Sequence, residues 1–176
     1  MMKSRFGLRA ALPALLIGAM LVSACGWQLR GTGMIPDDLE ALHISSQDSN
    51  GVLSRDLARA LKAAGVTVAE SPADAELSLV IVQERSLVRV AAVNENARVS
   101  QQELIEEARF MIVNRAGEQL VPLSIVSAER VFEYDENNVL ATQDERELIR
   151  GEMRRDLINQ MLNHLRQLRP SDAATP

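Results

Sequence analysis

LSLVIVQERSLVRVAAVNENARVSQQELIEEARFMIVNRAGEQLVPLSIVSAERVFEY, residues Leu77–Tyr134, is the stretch that decides the fold. Its β-branched opening, Leu77-Ser-Leu-Val-Ile-Val, predicts a strand that continues through Leu87, Val88, Val90 and Val93 to a polar tip at Asn94-Glu95-Asn96. A second strand is expected to return from Val99 to Val113, to turn at Asn114-Arg115-Ala116-Gly117, and to hand over to a third from Gln119 to Tyr134. Residues 102–108 carry helical propensity, but a helix there would detach Phe110 to Val113 from the sheet, so the strand reading is kept. Three long strands in this order predict an antiparallel meander.

On the N-terminal side, Leu42-His43-Ile44 within Leu39 to Ser46 predicts a short strand leading to the turn Asp48-Ser49-Asn50-Gly51. Leu53, Leu57, Leu61 and Ala64 then recur at helical spacing, and Gly65 stands where a helix C-terminal glycine belongs. Val66-Thr67-Val68 and a turn around Pro72 connect this helix to the meander. On the C-terminal side, Asp135-Glu136-Asn137-Asn138 reads as loop, and Thr142-Gln-Asp-Glu145 has the form of a capping box that opens a helix. That helix carries Ile149, Met153, Leu157, Met161, Leu165 and Leu168 on one stripe, with Arg150 and Arg154 elsewhere on the wheel, until Pro170 stops it. The order strand, helix, three or four strands, helix favours an α+β two-layer sandwich, a mixed, mostly antiparallel four-stranded sheet with two helices packed on one face. Residues 39–169 are expected to form this single domain; 25–38, with Gly26, Gly31, Gly33 and Pro36, read as a tether, and 170–176 as a disordered tail.

Charge narrows the function classes. The 176 residues hold 19 Lys and Arg against 24 Asp and Glu, a net charge of -5, which argues against nucleic-acid binding, where a basic surplus neutralises phosphates. One cysteine excludes an internal disulfide and a cysteine-based zinc site, and the distant His43 and His164 make no metal cluster. Lys3, Arg5 and Arg9 precede an apolar run from Ala10 to Val22, the layout of a signal peptide. That run falls short of the roughly 20 residues a membrane-spanning helix needs. It ends in Leu21-Val22-Ser23-Ala24-Cys25, which resembles the bacterial lipobox, so Cys25 is expected to carry a diacylglycerol and an N-acyl chain after residues 1–24 are removed. Several acyl chains make such an anchor effectively permanent. Gly26 follows, where an Asp commonly retains lipoproteins in the inner membrane, so the periplasmic face of the outer membrane is the expected site. Since residues 1–24 hold three of the basic residues and none of the acidic ones, the mature chain has a net charge of -8.

No phosphate-binding Gly-rich loop, His-Glu-x-x-His or Gly-x-Ser-x-Gly occurs in the mature chain, so no catalytic residue, metal site or cofactor is assigned. His43 and His164 read as packed histidines. Two features stand apart. Arg85, Arg89 and Arg98 lie along the first hairpin, Arg85 and Arg89 on one strand face; they read either as a phosphate-meeting set or as a solvated face balanced by Glu84, Glu95 and Glu103. Val139-Leu140-Ala141 is an apolar patch between polar flanks, either a helix staple or a partner contact.

Four stretches in order carry a resemblance to the LptE family of lipopolysaccharide-assembly lipoproteins. They are Cys25-Gly-Trp-Gln-Leu-Arg-Gly31, Asn50-Gly-Val-Leu-Ser-Arg55, Val131-Phe-Glu-Tyr134, and Val139-Leu-Ala141 through Glu152-Met153. The resemblance implies a non-enzymatic partner of the outer-membrane β-barrel LptD, seated in the barrel as a plug and helping deliver lipopolysaccharide to the outer leaflet. It implies barrel contacts at Val139, Leu140 and Ala141, and a segment at Trp27 and Leu29 that fixes the lipid anchor to the fold. Family members are also thought to bind lipopolysaccharide through basic residues near the hairpin tip and in the loop before the last helix. Here that loop offers Thr142 and Gln143 and the tip offers Glu95, leaving Arg89 and Arg98 as the nearest cations.

Overall fold

The computed structural model describes residues 39–168. The elements are β1 (Ala41–Ser46), α1 (Val52–Ala63), β2 (Thr67–Ala69), a 3-10 turn (Pro72–Asp74), β3 (Leu77–Val93), β4 (Val99–Asn114), β5 (Gln119–Glu133) and α2 (Val139–Arg166). The meander is present: β3 pairs antiparallel with β4 and β4 with β5, and residues 102–108 lie in β4. The segments expected to be signal peptide, tether and tail, 1–24, 25–38 and 170–176, lie outside the described residues.

The sheet has five strands, not four, in the order β2-β1-β3-β4-β5. The additional one is the three-residue β2, which makes four strands after the first helix, the larger of the two counts the sequence leaves open. β1 runs parallel to both neighbours, Leu42 lying opposite Val68 on one side and Leu77 on the other. The sheet is therefore parallel on one side of β3 and antiparallel on the other, rather than mostly antiparallel. The cause is the connection through α1: a helix carries the chain back across the sheet, so the strands that flank it point the same way.

α1 buries Leu53, Leu57 and Leu61, as its spacing predicts. It closes with a two-bond C-cap: the Val66 amide donates to the Leu61 carbonyl at 3.0 Å and the Gly65 amide to that of Lys62 at 3.1 Å. This geometry needs a residue at positive φ, and Gly65 supplies +90°. α2 starts earlier than its capping-box motif predicts. Asn138 is the N-cap, and Thr142 lies inside the first turn with its hydroxyl 3.1 Å from the Asn138 carbonyl. Thr142 is thus a buried tie between helix and loop, 4% exposed.

One core joins the layers. Leu42, Leu57, Leu61, Leu79, Phe110, Ile112, Met153, Met161 and Leu165 are all fully buried. Each such side chain stabilises the fold by about 1.5–3 kcal/mol relative to exposure. The α2 stripe begins at Ile149, and arginines before and beside it tie the helix to the sheet and to α1. Arg146 stacks over the Phe132 ring, 5.6 Å from its centroid, and donates to Gln102 at 2.9 Å. Arg150 meets Glu106 at 3.3 Å and Arg154 meets Asp56 of α1 at 3.5 Å. Arg150 and Arg154, elsewhere on the wheel from the apolar stripe, therefore flank it and dock α2 on β4 and on α1.

Candidate functional site

The tip of the β3–β4 hairpin, the loop after β5 and the first turns of α2 lie at the same end of the domain. β4 and β5 bring them together, since Gln101 pairs with Glu133 and the Tyr134 amide donates to the Ser100 carbonyl at 2.9 Å. The tip is self-bonded. Asn94 Oδ1 accepts the amides of Asn96 at 3.0 Å and Arg98 at 3.1 Å, and Ala97 takes a positive φ of 58° to close the turn. The loop is built likewise, with Asp135 Oδ1 accepting the Asn137 amide at 2.8 Å. An ion pair between Arg98 and Glu136 joins tip to loop.

Apolar side chains stand out of this polar frame. Leu140 is 71% exposed and Val93 58%, and Val90, Val131 and Val139 are exposed as well. No staple holds Val139-Leu140-Ala141: the residue before the Asn138 cap is Asn137, and all three apolar side chains face solvent. A rigid helical turn thus presents them outward, with Thr142 tying that turn to Asp135 from below.

Arg85 and Arg89 share one face of β3, opposite Glu107 and Glu103 of β4. Arg89 is bonded to Glu103, which raises the guanidinium pKa further and holds the Glu103 carboxyl below its ordinary value. Arg98 is committed to Glu136, and Arg85 has no side-chain hydrogen bond or ion pair among the described residues. Cys25, Trp27 and Leu29 lie outside the described residues. The two histidines are packed: His43 Nδ1 lies 3.1 Å from the Ala69 carbonyl oxygen, and His164 stands edge-on to Phe110 with centroids 5.4 Å apart. Among the described residues no group of His, Cys, Asp or Glu is placed to hold a metal ion, and no helix is long and apolar enough to cross a membrane.

Sequence reading missed a second feature. A cleft of about 420 Å³ opens between α1, α2 and β3, where Val52, Ile81 and Val82 meet Glu84, Glu106 and Arg150. Glu84 is an exposed residue, but its carboxyl lines this cleft; that partial burial first, then the negative charges of Asp48 and Glu106, raise its pKa. The four-residue spacing of Arg146, Arg150 and Arg154 was the available signal, but a helical wheel does not say which flank of an apolar stripe meets a sheet.

Comparison with known proteins gives a consistent result. The family model for LptE, lipopolysaccharide-assembly, matches residues 39–165. The LPS-assembly lipoprotein LptE of Yersinia pestis (strain Pestoides F) is 28% identical over 161 residues, covering 90% of this chain and 77% of the relative. Among solved structures, lipoprotein B of Nitrosomonas europaea aligns with a TM-score of 0.66 at 22% identity, over 78% of this chain and 88% of that one. The rare lipoprotein B of Shewanella oneidensis aligns with a TM-score of 0.60 at 22% identity, over 73% and 92% of the two chains. At these identities the structural likeness speaks for the fold.

Proposed function

The chain belongs to the LptE lipopolysaccharide-assembly family, and on that premise we propose that it partners the outer-membrane β-barrel LptD, sits in the barrel as a plug, and assists barrel assembly and lipopolysaccharide insertion into the outer leaflet. Acyl chains on Cys25 hold it on the periplasmic side of the outer membrane, with Trp27 and Leu29 fixing the anchor to the fold. The observation that carries the reading is the family match across 39–165, which spans nearly all of the described domain. The physics is compatible. A barrel wide enough to pass lipopolysaccharide encloses a polar, water-filled lumen, which a domain with a charged, ion-paired sheet face can occupy. The role asks for no cofactor and no catalytic group.

Val139, Leu140 and Ala141 are assigned as barrel contacts, because they form a rigid exposed apolar turn on a mostly polar surface. Gentle detergent extraction of outer membranes holding the tagged full-length lipoprotein, then size exclusion and mass spectrometry, tests the reading. A stoichiometric barrel is expected, and Leu140→Asp should reduce its recovery; isolation of a lone monomer would sink it.

One observation favours a second reading, an independent lipid-anchored lipopolysaccharide-binding module. Arg85 is free of an acidic partner among the described residues and shares a strand face with Arg89. Changing Arg85, Arg89 and Arg98 to Glu should then abolish lipopolysaccharide binding by the purified protein, and unchanged binding eliminates this reading.

A further inference from the structure

β1 ends before β3 does. Its last pair with β3 is Ser46 opposite Ile81, after which the chain turns away toward α1. β3 continues to Val93 with only β4 beside it. Every residue from Val82 to Ala91 is exposed. On the side that β1 has left, no strand among the described residues takes up the backbone N–H and C=O groups. Register shifts at Ile81/Gln83 and Val90/Ala92 bound this edge, and between them the pairing runs regularly from Gln83 opposite Arg109 to Val90 opposite Gln102. That length suits an ordinary strand of about 5–6 residues.

Unpaired edges are templates for another strand unless something blunts them. The outer edge strand, β5, is blunted. Pro122 has no N–H to offer, the Ser127 carbonyl accepts the Gln160 side-chain amide at 2.9 Å, and the Arg130 guanidinium donates to the Glu129 carbonyl at 2.9 Å. No side chain among the described residues bonds the β3 backbone between Gln83 and Val90 in this way.

The cleft opens at the corner where β1 leaves β3. Its other charged groups are engaged. Asp48 accepts the Asn50 amide at 3.2 Å, Glu106 accepts from Ser86 at 2.7 Å and faces Arg150, and Arg154 faces Asp56. Glu84 has no hydrogen bond or ion pair among the described residues, and its carboxyl lies where the like charges of Asp48 and Glu106 bear on it. Val52 and Val82, both exposed, stand beside it.

We propose that an extended segment of the barrel partner adds to β3 along Gln83–Val90 and lodges an Arg or Lys side chain in the cleft against Glu84. This rests on the reading of the chain as a barrel partner. Main-chain bonds to the edge supply affinity, and the pocket supplies selectivity. The aliphatic stem of the basic side chain lies on Val52 and Val82 while its charged head meets the carboxylate. The mature chain, at net charge -8, favours a basic segment over an acidic one.

The test places a photo-crosslinking amino acid at Gln83 or Leu87 of the full-length lipoprotein in outer membranes, with the exposed Lys62 in the last turn of α1 as reference. Crosslinks from Gln83 and Leu87 to a Lys- or Arg-containing peptide of the barrel are expected. Glu84→Arg should lower their yield about tenfold, because it sets like charges together. Glu84→Gln should lower it less, and both variants should leave the co-purified barrel near wild-type amounts. The proposal is overturned if the barrel co-purifies but Gln83 and Leu87 crosslink no more than Lys62, if they capture a different protein, or if Glu84→Arg changes nothing. If no barrel co-purifies, the partner reading falls and takes this proposal with it.

Discussion

Replacing Thr142 by valine keeps the side-chain volume and removes one buried hydroxyl. That hydroxyl lies 3.1 Å from the Asn138 carbonyl oxygen and 3.4 Å from both the amide nitrogen and the carbonyl oxygen of Asp135. It has one proton, so it donates to one carbonyl at a time while accepting from the Asp135 amide. Losing the donated bond costs about 1 kcal/mol, and an amide left without an acceptor costs about 1–3 more when water cannot reach it. The 3.4 Å contacts with Asp135 are long, which puts the total at the low end, about 1–2 kcal/mol. For a domain of this size that lowers Tm by about 3–8 °C. Thermal unfolding followed by circular dichroism measures it, and hydrogen exchange at the Asp135 amide should speed up in parallel. Glu145→Ala is the contrast. Glu145 is exposed with no side-chain partner among the described residues, so its loss should change stability by less than about 0.5 kcal/mol. An unchanged Tm for Thr142→Val, or an equal loss for Glu145→Ala, would refute the tie and restore a capping box.

Phe110→Ala empties a fully buried site beside His164 and should cost about 3–5 kcal/mol, read as a lower urea midpoint with little change in slope. Gly65→Ala meets no atom within 4 Å, so its expected cost of about 1–2 kcal/mol comes from backbone conformation at φ +90°; an unchanged Tm would show that the cap does not need it. Because the folded-state pKa of Glu84 is raised above its ordinary value, the ionised carboxylate opposes folding, a penalty absent at low pH that grows as pH rises through the folded value. Glu84→Gln should therefore stabilise the protein at neutral pH and be indistinguishable from wild type in acid; denaturant titrations at both pH values check the sign.

How far the sequence alone could be read follows from the range of the forces involved. The meander, α1 with its Gly65 stop, and the apolar stripe of α2 depend on periodicity and turn chemistry within a few residues, and these appear in the structure where they were expected. The apolar turn at Val139-Leu140-Ala141 was also legible, because three apolar residues between polar flanks stand out along the chain. The start of α2 was not: a Thr-x-x-Glu pattern looks the same whether Thr caps a helix or lies buried inside one, and the contact with Asp135 decides between them. The fourth strand after α1 stayed open because the three residues of β2 carry too little pattern; β1 alongside, in parallel, decides it. The lipobox-like stretch ending at Cys25 and the charge balance belong to the chain itself. The open edge of β3, the uncompensated Glu84 and the arginines that dock α2 come from tertiary structure, since each requires segments dozens of residues apart in sequence to meet, and local pattern carries no record of that meeting.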